Sequence, residues 1–166
     1  MRIGDLRLAR LLQLASPALP VGAYSYSQGL EAAIEAGAVR DAASTQRWIE
    51  DVLRFSLGRA EAPLFLRMCA AWQDPTTPLA TRWNDLMLAT REAAELRVET
   101  VQMGYSLRRL LNELNEFDAS GTARLNAIDE PSFPLAFSFA VVQWGINAED
   151  GLLAYLWSWI ENQVMA

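Results

Sequence analysis

The sequence predicts an all-α protein, a single compact helical domain of about seven helices that spans residues 1–166. Apolar residues recur at spacings of three and four in nearly every segment, and glycines and prolines separate these segments. No stretch alternates apolar and polar residues in the way that a half-buried strand does. The length and a hydrophobic content of 52% are those of one domain that can bury a substantial core.

The first helix is predicted over residues 7–15 and ends before two closely spaced prolines. Pro17 and Pro20 lack a backbone N–H and disfavour helical backbone in the residues that precede them. A second helix is predicted from about Tyr24 to Ala36. Gly37 follows it directly and is well placed to end it, because glycine adopts the left-handed backbone that commonly closes a helix.

The third and fourth helices are predicted from their boundary residues. Asp41 or Ser44 can serve as the N-cap of the third helix, and Gly58 is expected to weaken or end it. Pro63 then fits the first turn of a fourth helix that reaches Trp72. Proline is tolerated at that place, since the first N–H groups of a helix have no intrahelical acceptor.

The middle of the chain contains a clear break and a long helical pattern. Residues 74–78 hold two prolines and two threonines after an aspartate, which is typical of a loop. From residue 79 to residue 114 the apolar pattern is helical, and Thr90 marks a restart, so two helices or one kinked helix are expected. Arg91 and Glu95 are four residues apart and can pair on a solvated helix face.

The last third of the chain is predicted to hold a loop and two apolar helices. The loop covers residues 117–129, and the first helix runs from about Pro134 to Trp144 and ends at Gly145. Asn147 is placed to cap the last helix. The apolar stripe of that helix consists of Leu153, Leu156, Trp157, Ile160 and Val164, with Tyr155 and Trp159 beside them. Such a helix and six tryptophans exceed what one small core needs, so part of this apolar surface is expected to be exposed.

Charge and composition exclude several classes of protein. The net charge of −6 argues against nucleic-acid binding, which needs a surplus of basic residues. No apolar run reaches the roughly 18 residues of a membrane-spanning helix, and charged residues interrupt the N-terminal region where a signal peptide would be apolar. Cys69 is the single cysteine and lies in an apolar helical pattern, so we expect a buried thiol in a cytoplasmic protein.

The residue types that are missing exclude several chemistries. The chain has no histidine, and all 14 of its basic residues are arginines. Ser-His-Asp and Cys-His catalysis, zinc sites built on imidazole and lysine Schiff bases are therefore excluded. We predict no catalytic residue, no cofactor and no metal ligand.

Two alternative functions stay open on the residues alone. A carboxylate-dependent helical enzyme could use Glu31 with Glu35, or Glu50 with Asp51, although a solvated helix face also explains each pair. Such an enzyme would hold its two acids in a cleft with raised pKa values. A helical module that binds an apolar ligand would instead enclose a cavity lined by tryptophan and methionine.

Three stretches of the chain resemble a known family, the urease accessory protein UreF. Residues 11–37, LLQLASPALPVGAYSYSQGLEAAIEAG, resemble the N-terminal signature of this family. Residues 150–166, DGLLAYLWSWIENQVMA, are similar to the segment that precedes the family's C-terminal region. Between them, residues 91–97, REAAELR, together with Met103-Gly104, resemble the central signature.

The resemblance implies a non-enzymatic helical adaptor that helps to assemble the nickel site of urease. Family members bind UreD, also called UreH, and the GTPase UreG, bring both to the urease apoprotein, and pair as homodimers. They couple GTP-dependent nickel delivery to the apoenzyme. Many members have histidine at the position of Tyr26, and the family continues past the position of Ala166 with a further helical tail. The chain is therefore expected to lack the family's C-terminal tail.

The elbow, residues 16–31, and the last helix are expected to carry the partner contacts. Tyr24 and Tyr26 offer rigid aromatic side chains with a polar tip, which give much contact area for little loss of side-chain entropy. The central signature is expected to contribute as well. The predicted partner-binding residues are Ser16, Pro17, Pro20, Gly22, Tyr24, Ser25, Tyr26, Ser27, Gln28, Gly29, Glu31, Arg91, Glu95, Trp159 and Glu161.

Overall fold

The computed structural model of the chain describes residues 3–22, 29–74 and 79–165, and in these ranges all regular structure is helical. The elements are α1 (Ile3–Ala15), α2 (Leu30–Glu35), α3 (Ala42–Asp51), a π-helix (Val52–Glu61), α4 (Ala62–Gln73), α5 (Leu79–Ala89), α6 (Ala94–Leu114), α7 (Ala119–Asn126), α8 (Phe133–Gln143) and α9 (Ala148–Met165). The all-α prediction is confirmed for this part of the chain. No helix in it is long and apolar enough to cross a membrane.

Helix α8 is the centre of the core. Residues 133–141 are all buried, and α4, α6 and α9 pack around them. The helix begins at Ser132, whose hydroxyl accepts a hydrogen bond from the backbone N–H of Leu135, and Pro134 occupies its first turn. A helix that is apolar on every side must be surrounded by other helices, which explains its central position.

The third helix was expected to weaken or end at Gly58; it does not end there, and a π-helix spans this glycine. Helical backbone continues from α3 through the π-helix into α4, and the backbone N–H of Ala62 bonds to the carbonyl of Leu57, five residues earlier. Glycine inside a helix costs only about 1 kcal/mol relative to alanine, and tertiary packing can override that preference. Leu57 and Glu61 are both buried on the side of the π-helix that faces the core.

Residues 117–129 contain a helix where the sequence predicted a loop. Helix α7 begins at Asp118, whose carboxylate accepts a hydrogen bond of 2.7 Å from the backbone N–H of Gly121. Its Leu125 is fully buried in the core. The cap at Asp118 and the burial of Leu125 hold this short helix in place.

The expected break between two helices near Thr90 is confirmed. Helix α5 ends at Ala89, and α6 runs without interruption from Ala94 to Leu114. Helix α6 then passes very close to the connection between α7 and α8. A Cβ atom on Gly104 would lie 1.9 Å from the carbonyl oxygen of Pro131, so only glycine fits at this position.

Helix α9 packs closely against its neighbours because small residues lie at the contact. A Cβ atom on Gly151 would lie 2.6 Å from the Cγ1 of Val141, so this glycine lets α9 approach α8 closely. The buried residues of α9 are Gly151, Ala154, Tyr155, Ser158, Trp159, Asn162 and Gln163. Leu153, Trp157 and Val164 lie on the outer side and are exposed, as the excess of apolar residues predicted.

Candidate functional site

The first of the two described parts of the elbow, residues 16–22, is held against the core by two apolar side chains. Leu19 and Val21 are buried, whereas Pro20 between them is exposed. The backbone N–H of Leu19 bonds to the carbonyl of Ser16 at 3.0 Å, which closes a tight turn directly after α1. The elbow therefore has a defined shape at this end.

Two glycines of the elbow adopt backbone conformations that favour glycine. Gly22 has φ of +78°, and Gly29 has φ of +96° and precedes the first residue of α2. The predicted residues between them, Tyr24, Ser25, Tyr26, Ser27 and Gln28, lie outside the described ranges, as does the predicted start of the second helix at Tyr24. The predicted end of that helix is confirmed, since Gly37 follows it with φ of +71°.

A pair of stacked tryptophans connects the end of the elbow with the last helix. The ring of Trp48 on α3 stacks on that of Trp159 on α9, with centroids 6.4 Å apart and planes 25° from parallel. Gly29 lies close to the indole of Trp48, since a Cβ atom on this glycine would be 3.9 Å from Cζ2 of that ring. Trp48 was not predicted to belong to the site.

Arg91 pairs with Glu61 and not with Glu95. The Nη1 atom of Arg91 lies 2.6 Å from Oε1 of Glu61, and Glu61 is buried. Arg91 sits in the connection between α5 and α6, whereas Glu95 is exposed in the first turn of α6, where its charge suits the helix dipole. The expected pair on a solvated helix face is therefore wrong.

Tyr155 completes a buried network around the Glu61 carboxylate. Its hydroxyl donates a hydrogen bond of 2.6 Å to Oε2 of Glu61, so each carboxylate oxygen has one strong partner. Burial, and then the charge of Glu61, raises the pKa of the Tyr155 hydroxyl well above its ordinary value. Burial alone would lower the pKa of the Arg91 guanidinium, but Glu61 and Tyr155 raise it overall.

These contacts join residues of three predicted segments, namely the elbow, the central signature and the last helix, into one cluster. Glu61, Arg91, Tyr155 and Trp159 line a common cavity of about 110 Å³, which also touches Glu99 on α6. We call Trp48, Glu61, Arg91, Tyr155 and Trp159 the central cluster. It brings the end of the elbow, the central signature and the last helix together in space.

The cavity in the central cluster has a size and lining that suit polar contacts. Ligand pockets for small molecules usually enclose about 300–1,000 Å³ and are mostly apolar. The cavity of about 110 Å³ is smaller, and two carboxylates and a guanidinium contribute to its wall. Met103 and Trp159 also line it, as an apolar-ligand module would require, but its small volume and charged wall do not suit an apolar ligand.

The paired acids that an enzyme could use lie on the surface of the described structure. Glu31 and Glu35 are exposed on α2, and Glu50 and Asp51 are exposed at the end of α3. Glu50 accepts a hydrogen bond from Gln46 one turn earlier. Among the described residues, no group of three or more cysteine, aspartate or glutamate side chains is placed to hold a metal ion.

Sequence reasoning missed Trp48, Glu61 and Tyr155 as members of the site. Glu61 is 30 residues from Arg91 and 94 residues from Tyr155, so no local spacing connects them. Glu161 is half-buried on α9. A glutamate on a helix otherwise rich in apolar residues, as Glu61 is, was the available signal for a buried ion pair.

Comparison with known proteins places the chain in a family. The family model described as UreF matches residues 39–166. The chain is 58% identical to a protein of Azoarcus sp. (strain BH72) named urease accessory protein UreF, over 98% of this chain and 70% of that protein. Proteins of the same name from Dechloromonas aromatica and Methylobacillus flagellatus are 51% and 49% identical, over 97% and 96% of this chain and 71% and 70% of their own lengths. The chain belongs to the UreF family.

Proposed function

We propose that the chain is an adaptor in the maturation of urease. In this role it binds UreD, also called UreH, together with the GTPase UreG, and brings both to the urease apoprotein. It modulates GTP-dependent nickel delivery there and catalyses no reaction itself. The observation that carries the proposal is the match to proteins named urease accessory protein UreF over nearly the whole chain.

The predicted partner-binding residues divide into two roles in this proposal. Pro20, Glu31 and Glu95 are exposed and are proposed to contact partners directly. Arg91 and Trp159 are largely enclosed within the central cluster, and they are proposed to hold the elbow, α6 and α9 in the arrangement that partners bind. Exposed acids at the rim of such an interface would mainly steer association with a basic partner surface.

The central experiment is co-purification from cells that express the tagged chain with UreD and UreG. The 58% identical Azoarcus protein is the matched positive control. We expect both proteins to retain UreD and UreG, and both to restore urease activity in cells that lack their own UreF. If the Azoarcus protein retains its partners while this chain retains none, the adaptor proposal for this chain is wrong.

We also propose that the chain acts as a homodimer in the cytoplasm. Large apolar side chains on several helices are exposed, among them Ile34, Phe55, Leu86 and Val98, and exposed apolar surface is typical of interfaces. Sedimentation across a wide concentration range should show a dimer. A monomer at every concentration would contradict this part of the proposal.

A further inference from the structure

Two arginines of neighbouring helices converge on one tryptophan ring. The guanidinium carbon of Arg67 on α4 and that of Arg82 on α5 each lie 5.3 Å from the ring centroid of Trp83. Trp83 is half-buried, whereas both arginines are exposed. No other ring in the described part of the chain holds two guanidinium groups. Contacts of this kind restrict a long side chain to a narrow range of orientations.

Neither of these guanidinium groups has a carboxylate partner within the described ranges. The ion pairs there are formed by Arg10, Arg91, Arg97 and Arg109. Asp85 is the single acidic residue of α4 and α5, and it lies one turn after Arg82 without pairing with it. The two helices therefore carry a surplus of positive charge in a chain whose net charge is −6.

Apolar side chains lie beside the two arginines. Leu86 follows Arg82 by one turn of α5 and is 45% exposed, and the exposed Ala70 follows Arg67 by one turn of α4. Helices α4 and α5 pack against each other and are joined by a short connection, which is typical of antiparallel neighbours. We call Arg67, Ala70, Arg82, Trp83 and Leu86 the α4/α5 face.

We propose that the α4/α5 face binds an acidic segment of another protein, in which aspartate or glutamate residues flank an apolar side chain. The carboxylates would accept hydrogen bonds from the two guanidinium groups, which lie over the indole ring. The apolar side chain would cover Leu86 and the exposed part of Trp83. Because the ring already orders both arginines, their side chains lose little further entropy on binding.

Two other occupants fit the α4/α5 face less well. A two-fold contact with a second copy of the chain would bring Arg67 and Arg82 against the same arginines of that copy. Nucleic acid would need a larger basic surface, because its affinity grows with the number of phosphates that Lys or Arg neutralise. The inference goes beyond the adaptor role and does not depend on which protein supplies the acidic segment.

The probe is a fluorescently labelled helical peptide of about 18 residues, built from leucine and glutamate with one apolar face. Its control is the same peptide with glutamine in place of every glutamate. The overall charge of the chain repels the glutamate peptide, so tight binding of this peptide requires a local basic site. Fluorescence anisotropy with the intact chain should show binding of the glutamate peptide and at least tenfold weaker binding of the glutamine peptide.

Matched variants locate the binding site. Arg67→Gln with Arg82→Gln should weaken binding of the glutamate peptide at least tenfold. Arg47→Gln with Arg54→Gln changes the net charge equally, through exposed arginines of α3 and the π-helix, and should change binding less than twofold. Leu86→Ser should weaken binding several-fold. Melting curves of each variant check that the fold is retained.

A conservative variant separates the ordered arginines from their charge. Arg67→Lys with Arg82→Lys keeps both charges but removes the planar groups that lie over Trp83. Its affinity for the glutamate peptide should fall between that of the unchanged chain and that of the double glutamine variant. An affinity equal to that of the unchanged chain would contradict the role of the ring.

Four further results would overturn the proposal. The first is that neither peptide binds, or that the glutamine peptide binds as tightly as the glutamate peptide. The second is that Arg47→Gln with Arg54→Gln weakens binding as much as Arg67→Gln with Arg82→Gln. The third is that a labelled single-stranded DNA of about 12 nucleotides binds the face more tightly than the glutamate peptide, which would assign the face to nucleic acid. The fourth is that Arg67→Gln with Arg82→Gln converts a dimer of the chain into a monomer in sedimentation, which would assign the face to a second copy.

Discussion

Tyr155 on the last helix donates a hydrogen bond of 2.6 Å to Glu61 at the end of the π-helix, and both residues are buried. The bond connects residues that are 94 positions apart, and Arg91 meets the same carboxylate from the α5–α6 connection. The buried carboxylate of Glu61 therefore joins three distant segments, namely the π-helix, the α5–α6 connection and α9. Removing any partner leaves a buried polar group without its full set of hydrogen bonds.

The first prediction is that Arg91→Ala destabilises the protein by about 3–5 kcal/mol, because it leaves the buried Glu61 carboxylate without its counter-charge. Urea unfolding followed by circular dichroism measures the change. The control is Glu95→Ala, which removes an exposed charge and should change the unfolding free energy by no more than about 0.5 kcal/mol. A loss below about 1 kcal/mol for Arg91→Ala would show that the ion pair does not stabilise the fold.

The second prediction concerns the close contact between α6 and the connection before α8. Gly104→Ala would place a Cβ atom 1.9 Å from the carbonyl oxygen of Pro131, so backbone atoms would have to move. We expect a loss of about 3 kcal/mol or more in the unfolding free energy.

Gly4→Ala is the matched control for this substitution. It lies in α1 with no atom within 4 Å of the added Cβ, so we expect no loss and a gain of at most about 1 kcal/mol. Thermal melts of both variants are sufficient to compare them. Equal melting temperatures for the two would mean that α6 and Pro131 can separate at little cost.

The fold class could be predicted because its signals are local. The cap at Asp41 and the breaks at Pro17 and Gly37 depend on residues within a few positions of each other. The errors arose where distant packing decides the local structure. The helix continues through Gly58 because Leu57 and Glu61 of the same segment are buried, and no short window of sequence contains that information.

The sequence predicted single residues of the candidate site but not the contacts between them. The elbow glycines, Arg91 and Trp159 were singled out in the sequence, and the structure connects Gly29 with Trp159 through Trp48. The partner of Arg91 could not be found, because Glu61 lies 30 residues away on another helix. Glu95 lies four residues from Arg91, a spacing at which charged side chains often pair on a helix. Sequence distance therefore favoured the wrong carboxylate.

The third prediction is a loss of stability in alkaline solution. Burial raises the pKa of the Cys69 thiol from its ordinary 9.0 to about 12, and burial together with Glu61 raises the pKa of Tyr155 above its ordinary 10.0. Both groups ionise more readily when the chain is unfolded. Their contribution to stability is therefore complete below about pH 9 and falls as the pH rises towards 12.

Urea melts at a series of pH values between about 8 and 11 measure this dependence. Cys69→Ala removes one of the two groups and should make the decline above about pH 9 less steep than in the unchanged chain. The control is Gly4→Ala, which changes no ionisable group and should keep the slope of the unchanged chain. An unaltered slope in Cys69→Ala would exclude the thiol as a cause.

The fourth prediction concerns the two elbow tyrosines, Tyr24 and Tyr26, which lie outside the described ranges. As partner anchors they should be dispensable for folding. The double variant Tyr24→Ala with Tyr26→Ala should keep the melting temperature of the unchanged chain and lose retention of UreD in co-purification. Aromatic residues of this kind often contribute more than 2 kcal/mol each to an interface.

Tyr105→Ala is the matched control for the elbow tyrosines, since it removes an exposed tyrosine of α6 that donates a hydrogen bond to the carbonyl of Asp129. It should retain UreD as the unchanged chain does. If Tyr24 and Tyr26 are core residues, each truncation should instead lower the unfolding free energy by about 3 kcal/mol or more. A double variant that is stable and still retains UreD would place the interface elsewhere, because the elbow would then have lost its two largest side chains without effect on the partner.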